Sequence, residues 1–115
     1  MRITRLYSSP DGESHFEEVD IDLEDAGEIG SLSEERRVNG IVFRENPPDY
    51  DYDWHNAPRR QYIIMLDGNI EIEVSDGEIR QFTGGDVLLV EDTTGKGHRT
   101  RTTDGKSRRS VFVTM

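Results

Sequence analysis

Gln61-Tyr62-Ile63-Ile64-Met65-Leu66-Asp67-Gly68-Asn69-Ile70-Glu71-Ile72-Glu73-Val74-Ser75-Asp76-Gly77 is the stretch whose reading decides the fold. Its first half is a continuous apolar run of strand length, as expected of a strand buried on both faces. In its second half Ile70, Ile72 and Val74 alternate with Glu71 and Glu73, the period of a half-exposed strand. Asp67-Gly68-Asn69 reads as a hairpin turn between the two halves, and Ser75-Asp76-Gly77 as the next tight turn.

The same rhythm continues on both sides. Downstream, Glu78 to Phe82 pairs back, and Thr83-Gly84-Gly85-Asp86 turns into the buried run Val87-Leu88-Leu89-Val90. Glu91 to Gly97 is a Gly-containing loop, and His98–Thr102 and Ser110–Met115 supply the last strands. Upstream, Arg2–Tyr7 and His15–Leu23 read as strands about the turn Ser9-Pro10-Asp11-Gly12, with Val19, Ile21 and Leu23 on one face. Glu24 to Arg37 is irregular, with room for a helical turn. Ile41-Val42-Phe43 is a strand stopped by Asn46-Pro47-Pro48. About eight to ten short strands with Gly-rich turns and no amphipathic helix predict an all-β sandwich or barrel. Residues 1–115 form one domain, in which 1–37 supply N-terminal strands and an acidic loop and 38–115 the barrel that bears the motifs.

Composition narrows the function classes. With 115 residues, 32% hydrophobic and 33% charged, the core is thin, and a chain of this kind gains burial by forming a homodimer. Cysteine is absent, so any metal is held by nitrogen and oxygen. No apolar run approaches the roughly 20 residues that cross a bilayer, and Met1-Arg2-Ile3 opens no signal-peptide pattern; a soluble cytoplasmic protein is expected. A formal net charge of −10 disfavours nucleic acid and anionic membrane surfaces, but says little about a small-molecule ligand held in a pocket. Asp11 to Glu35 contains no Lys or Arg, whereas Lys96 to Arg109 is basic; either these are two solvated surfaces, or the two segments pack together within a protomer or across a dimer.

The chemistry-bearing residues lie just before the decisive stretch, in Asp53-Trp54-His55-Asn56-Ala57-Pro58-Arg59-Arg60-Gln61. In extended chain, His55, Ala57, Arg59 and Gln61 share a side that continues to Ile63 and Met65. An imidazole and an amide oxygen at the open end of that face are groups that hold a metal or anchor a polar ligand.

This segment resembles the first motif of the cupin superfamily, a His-x-His pair followed by a glutamate and then a glycine. His55, Ala57, Gln61 and Gly68 stand at those four places. The second cupin motif, a glycine followed at a distance by a histidine, is similar to Gly85 through Val90 followed by His98. The resemblance covers residues 38–115 and implies a single-domain jelly-roll β-barrel, commonly dimeric, with a small-molecule site in its mouth. It also implies a divalent metal such as Fe, Mn, Ni or Zn, held here by His55, Gln61 and His98. Such a metal would serve lyase, isomerase or dioxygenase chemistry on a small oxygenated metabolite. The departures are pointed: Ala57 replaces a histidine, Gln61 replaces the glutamate, and the loop Glu91 to Gly97 replaces the usual Pro-x-Gly. Glu91 or Asp92 is positioned to swing into the gap.

A metal-free alternative remains, in which the barrel mouth binds or senses a small anion through Arg59 or Arg60 with the aromatics Trp54, Tyr50, Tyr52 and Tyr62. Arg59 and Arg60 differ in parity, so at most one points inward. Each of these residues also has a plainer role open to it. The histidines and Gln61 can be hydrogen-bonded polar groups, the aromatics can pack in core or interface, and the arginines can pair with surface acids.

Overall fold

In the computed structural model, which describes residues 1–115, strands make up most of the chain. They are β1 (Arg2–Ser8), β2 (Ser14–Asp20), β3 (Glu24–Asp25), β4 (Ser31–Leu32), β5 (Gly40–Asn46), β6 (Asp51–His55), β7 (Gln61–Met65), β8 (Asn69–Val74), β9 (Ile79–Thr83), β10 (Val87–Val90), β11 (His98–Thr102) and β12 (Arg108–Thr114). A single 3-10 turn covers Gly27–Ile29. No helix is long and apolar enough to cross a membrane.

Two sheets form the body. One has six strands in the order β2-β1-β10-β7-β12-β5, and the other has four in the order β6-β11-β8-β9. All pairings are antiparallel except that of β1 with β10, so the N-terminal strands are woven into the barrel sheet. The apolar faces of the two sheets meet in one core. Leu6, Leu88, Val90 and Met65 contribute from the six-stranded sheet, and Ile70, Ile72, Val74 and Phe82 from the four-stranded one. Each such side chain removed from water is worth about 1.5–3 kcal/mol. The alternation of β8 is realised as expected, with Ile70, Ile72 and Val74 buried and the glutamates between them partly exposed.

Three expectations are corrected. Asp67-Gly68-Asn69 is not a hairpin, because β7 pairs with β10 and β12 while β8 pairs with β9 and β11. The turn carries the chain from one sheet to the other. Gly68 at φ 79° permits this because a β-carbon there would stand 2.5 Å from Cβ of Arg108. Strand β2 ends at Asp20, and its core residue is Phe16, whose ring lies 5.9 Å from that of Phe82; Leu23 is exposed. Within the chain, the acidic segment also does not pack broadly on the basic one. Glu17, Glu18 and Asp20 pair with Arg5, Arg80 and Arg2, and of the segment's acids only Glu13, through Lys96, pairs with the basic stretch.

Candidate functional site

A cavity of about 550 Å3 opens between the sheets at the end where β6, β7 and β11 begin or finish. Ile63, Met65, Ile70, Ile72, Leu88 and Val90 form its apolar floor. His55, Gln61, His98 and Arg59 all line it, as do Tyr50, Tyr52, Arg44 and Arg108.

His55 and His98 are cross-strand partners in the β6–β11 pairing, and their rings lie 4.4 Å apart. The loop before β11 makes this approach possible. Gly97 has φ 74°, and a β-carbon on it would fall 2.2 Å from the His55 carbonyl oxygen. Only glycine lets the two strands close at that point. The loop is tied down by Asn56, whose Nδ2 donates to the carbonyl of Gly95 at 3.0 Å, and by the amide of Ala57, which donates to the carbonyl of Asp92 at 3.1 Å.

The imidazole tautomers follow from their partners. Nδ1 of His55 lies 2.7 Å from the carbonyl oxygen of Asp53, so it donates and leaves Nε2 with a lone pair. Nδ1 of His98 donates to Oδ2 of Asp92 at 2.5 Å, which does the same for its own Nε2. Asp92 is fully buried, and its second oxygen, Oδ1, has no hydrogen-bond partner. A buried carboxylate with one oxygen unpaired is costly, on the order of 1–3 kcal/mol or more, unless positive charge stands nearby. Burial pushes the pKa of His55 below the ordinary histidine value, and His98 beside it acts the same way, against the raising effect of the Asp53 carbonyl. Gln61 is buried, lines the cavity, and its amide makes no hydrogen bond to the rest of the chain.

A β-bulge explains how Tyr52 joins this face. His98 pairs with His55 but Thr100 pairs with Tyr52, so three residues of β6 advance against two of β11. Tyr52 and His55 therefore point the same way despite their odd separation, and their rings meet edge-on at 4.0 Å.

Not all the sequence-selected residues gather here. Trp54 sits in the bulge, is 43% exposed and does not line the cavity. Tyr62 lies at the opposite parity to Gln61 and Ile63 and is outside the lining. Arg60 is held at the surface by Glu91 at 2.5 Å. Burial would raise the pKa of Glu91, but hydrogen bonds from Arg5 and Arg60 outweigh it and hold the carboxyl low. Of the two acids in the variant loop, Glu91 thus serves the surface and Asp92 serves the site. Arg59 is exposed and borders the cavity.

Two arginines that the motif reading passed over complete the site. Arg108 on β12 is buried to 7% exposure, and no carboxylate lies within ion-pair distance of it. Its guanidinium stacks on Tyr50 at 4.6 Å, and Nη1 donates to Oγ1 of Thr102 at 3.3 Å. Burial lowers its pKa, as does neighbouring Arg44, while Tyr50 opposes them. Arg44, on adjacent β5, also lacks an acidic partner; its guanidinium lies over Phe112 at 5.1 Å and over Tyr50 at 5.8 Å. Cation–π contacts return about 0.5–2 kcal/mol each, less than the several kcal/mol that burying an unpaired ion costs. Arg44 and Arg108 could have been sought in the sequence as arginines at inward parity on β12, which flanks β7, and on β5 beside it, but no motif marks them.

No protein-family model and no curated protein matches the chain. Solved structures do. The cupin domain of Cnp3 from Schizosaccharomyces pombe aligns over 97% of this chain and 85% of that one, with a TM-score of 0.54 and 16% identity. The conserved protein SPY1581 of unknown function from Streptococcus pyogenes aligns with a TM-score of 0.50 and 19% identity over 69% of this chain, which spans 65% of the length of that protein. Protein NMB1881 from Neisseria meningitidis aligns with a TM-score of 0.50 and 19% identity over 68% of this chain and 76% of that one. These likenesses show the fold: the chain is a cupin-type jelly roll.

Proposed function

We propose that this chain binds a small oxygenated metabolite in the cavity between its sheets and holds a divalent metal ion there through His55, Gln61 and His98. One observation carries the reading. Two adjacent imidazoles each have Nδ1 engaged as a donor, one by a main-chain carbonyl and one by a buried carboxylate, so that both Nε2 lone pairs are free. Hydrogen bonds of this kind behind a histidine fix its orientation and raise its basicity toward a metal. The donor set fits a borderline cation: two nitrogens and an amide oxygen, with Asp92 supplying the compensating charge through His98. The unpaired Oδ1 of Asp92 favours positive charge at this point.

A metal ion bound here would supply Lewis acidity to a ligand oxygen. The chain's own contribution is to orient the imidazoles, to present the Gln61 amide and to exclude water with an apolar floor. The fold does not fix which lyase, isomerase or dioxygenase chemistry follows.

The direct test is calorimetric titration of chelator-stripped protein with Mn, Ni and Zn ions. Saturable binding at one site per chain, weakened at least about tenfold in His98→Ala, is expected. Absence of saturable binding by all three would overturn the metal reading. A second reading, a metal-free binding module, is favoured by the absence of any three His, Asp or Glu side chains that converge on one point. It retains the cavity and the ligand without the ion.

Strand β5 supports the homodimer. It is a sheet edge, and it exposes Ile41, Val42 and Phe43 where the edge strand β2 carries Glu17, Glu18 and Asp20. A second copy would cover it, and Phe43→Asp should then yield monomers in sedimentation; an unchanged dimer would exclude this surface.

A further inference from the structure

We infer that Arg44 and Arg108 form a clasp for a carboxylate, and that the ligand of this cavity is an organic acid with an apolar body. The inference rests on the reading of the cavity as the ligand site and names the class of molecule it takes. It does not require the metal.

Three features point to it. First, two guanidiniums occupy neighbouring inner positions of adjacent strands, since Ser110 is the cross-strand partner of Arg44 and Asn46 that of Arg108. Such a diagonal pair can offer two forks to one anionic group. Secondly, neither has an acidic partner, although most of the chain's other arginines within the barrel find one: Arg2, Arg5, Arg60, Arg80, Arg99, Arg101 and Arg109 all pair with a carboxylate. In a chain of net charge −10, three arginines of this cavity have no acid: Arg59 is exposed at its border, whereas the half-buried Arg44 and the buried Arg108 stand side by side in its wall and mark a place kept for an outside anion. Thirdly, the space beyond them is apolar. Phe112, Ile63, Met65 and Ile72 line it, and the imidazoles of His55 and His98 stand on the facing sheet. A sugar phosphate would strand hydroxyl groups against that floor. An aryl or alkyl carboxylate would place its charge at the arginines and its body on the floor, with any further oxygen directed to His55, His98 and Gln61.

The plainer role for these arginines is packing on Tyr50 and Phe112. The two roles differ in sign. If Arg108 is held for a ligand, replacing it in the free protein removes a buried ion that nothing balances, and Arg108→Met should unfold at a higher temperature than wild type. If Arg108 is structural, the substitution lowers the midpoint.

The experiment is a binding and thermal-unfolding series in buffer containing EDTA, with benzoate and hexanoate as probes. Benzamide, hexanamide and inorganic phosphate serve as controls. Benzoate or hexanoate should bind and raise the midpoint where the amides and phosphate do not. Arg108→Met and Arg44→Met should each weaken the carboxylate by about 30-fold or more. Binding of amide and acid alike, preference for phosphate, no binding of either acid, or carboxylate binding unchanged in both variants would each overturn the clasp. Carboxylate binding that appears only when metal is restored would also overturn it, while leaving the metal reading intact. Carboxylate binding in EDTA by a protein that takes up no metal would leave the clasp standing and remove the metal.

Discussion

Replacing Gly97 with alanine should cost far more than replacing another glycine of similar backbone conformation. Gly97 has φ 74° and Gly77 has φ 99°, so a β-carbon at either position pays the left-handed penalty of about 1–2 kcal/mol. At Gly77 nothing lies within 4 Å of the new atom, and the cost stops there. At Gly97 the atom would meet the carbonyl oxygen of His55 at 2.2 Å and its carbon at 2.5 Å, well inside the 3.0 Å that β-carbons essentially never cross. The strands must part, which strains the His55–His98 pairing and the bond from Ser14 Oγ to the Gly97 carbonyl, now 2.6 Å. Each buried polar group left without a partner adds about 1–3 kcal/mol. Gly97→Ala should therefore lose about 3–6 kcal/mol, a large share of the roughly 5–15 kcal/mol of a whole domain. Urea unfolding of the two variants beside wild type measures the difference. Equal losses, within about 0.5 kcal/mol, would refute the close approach of β11 to β6 as the device that brings the imidazoles together.

Two further outcomes are expected. His55 has its pKa lowered from the ordinary 6.5 by burial, so the folded state favours the neutral ring; its contribution is complete above pH 6.5 and is lost as pH falls toward the depressed folded value. The lowered carboxyls of Glu91, Glu71 and Asp67 act only below their ordinary 4.5, 4.5 and 3.8, so His55→Gln should flatten the decline in urea midpoint between pH 6.5 and 4.5, and parallel curves would contradict it. Asp92→Asn removes the charge behind His98 and should weaken metal binding by about 10–100-fold in calorimetry, whereas unchanged affinity would mean that the carboxylate does not act through His98.

The fold was open to reading because two periodicities agree. Ile70, Ile72 and Val74 alternate cleanly, and the apolar run Val87 to Val90 lies between β1 and β7 with Leu88 and Val90 buried and Val87 and Leu89 partly exposed, so strand positions followed from pattern alone even though the run is not buried on both faces. Pairing was harder. Asp67-Gly68-Asn69 has the chemistry of a hairpin, yet what separates a hairpin from a crossing is which neighbours the next strand finds, and that is settled by distant segments such as β11 and β12. In the site, His55, Gln61 and His98 were reachable because each lies at a motif position whose parity survives folding. Of the aromatics in β6, Tyr52 joins the site and Trp54 does not because a bulge shifts parity within the strand, and no local signal announces it. Asp92 was in view only as one of two acids in an unusual loop; the arginines that engage Glu91 outside the cavity, Arg5 and Arg60, come from 86 and 31 residues away. Arg44 and Arg108 were hidden for a different reason. What distinguishes them is an inward position without an acidic partner, a property of the whole folded charge arrangement and not of any stretch of sequence.

The most direct measurement is anomalous diffraction from crystals of the protein soaked in Ni or Zn ions. A compact peak is expected roughly 2.0–2.3 Å from Nε2 of both His55 and His98, with the Gln61 amide oxygen turned toward it. A cavity without such a peak, in crystals whose surface sites do take up the ion, would contradict metal binding by this chain.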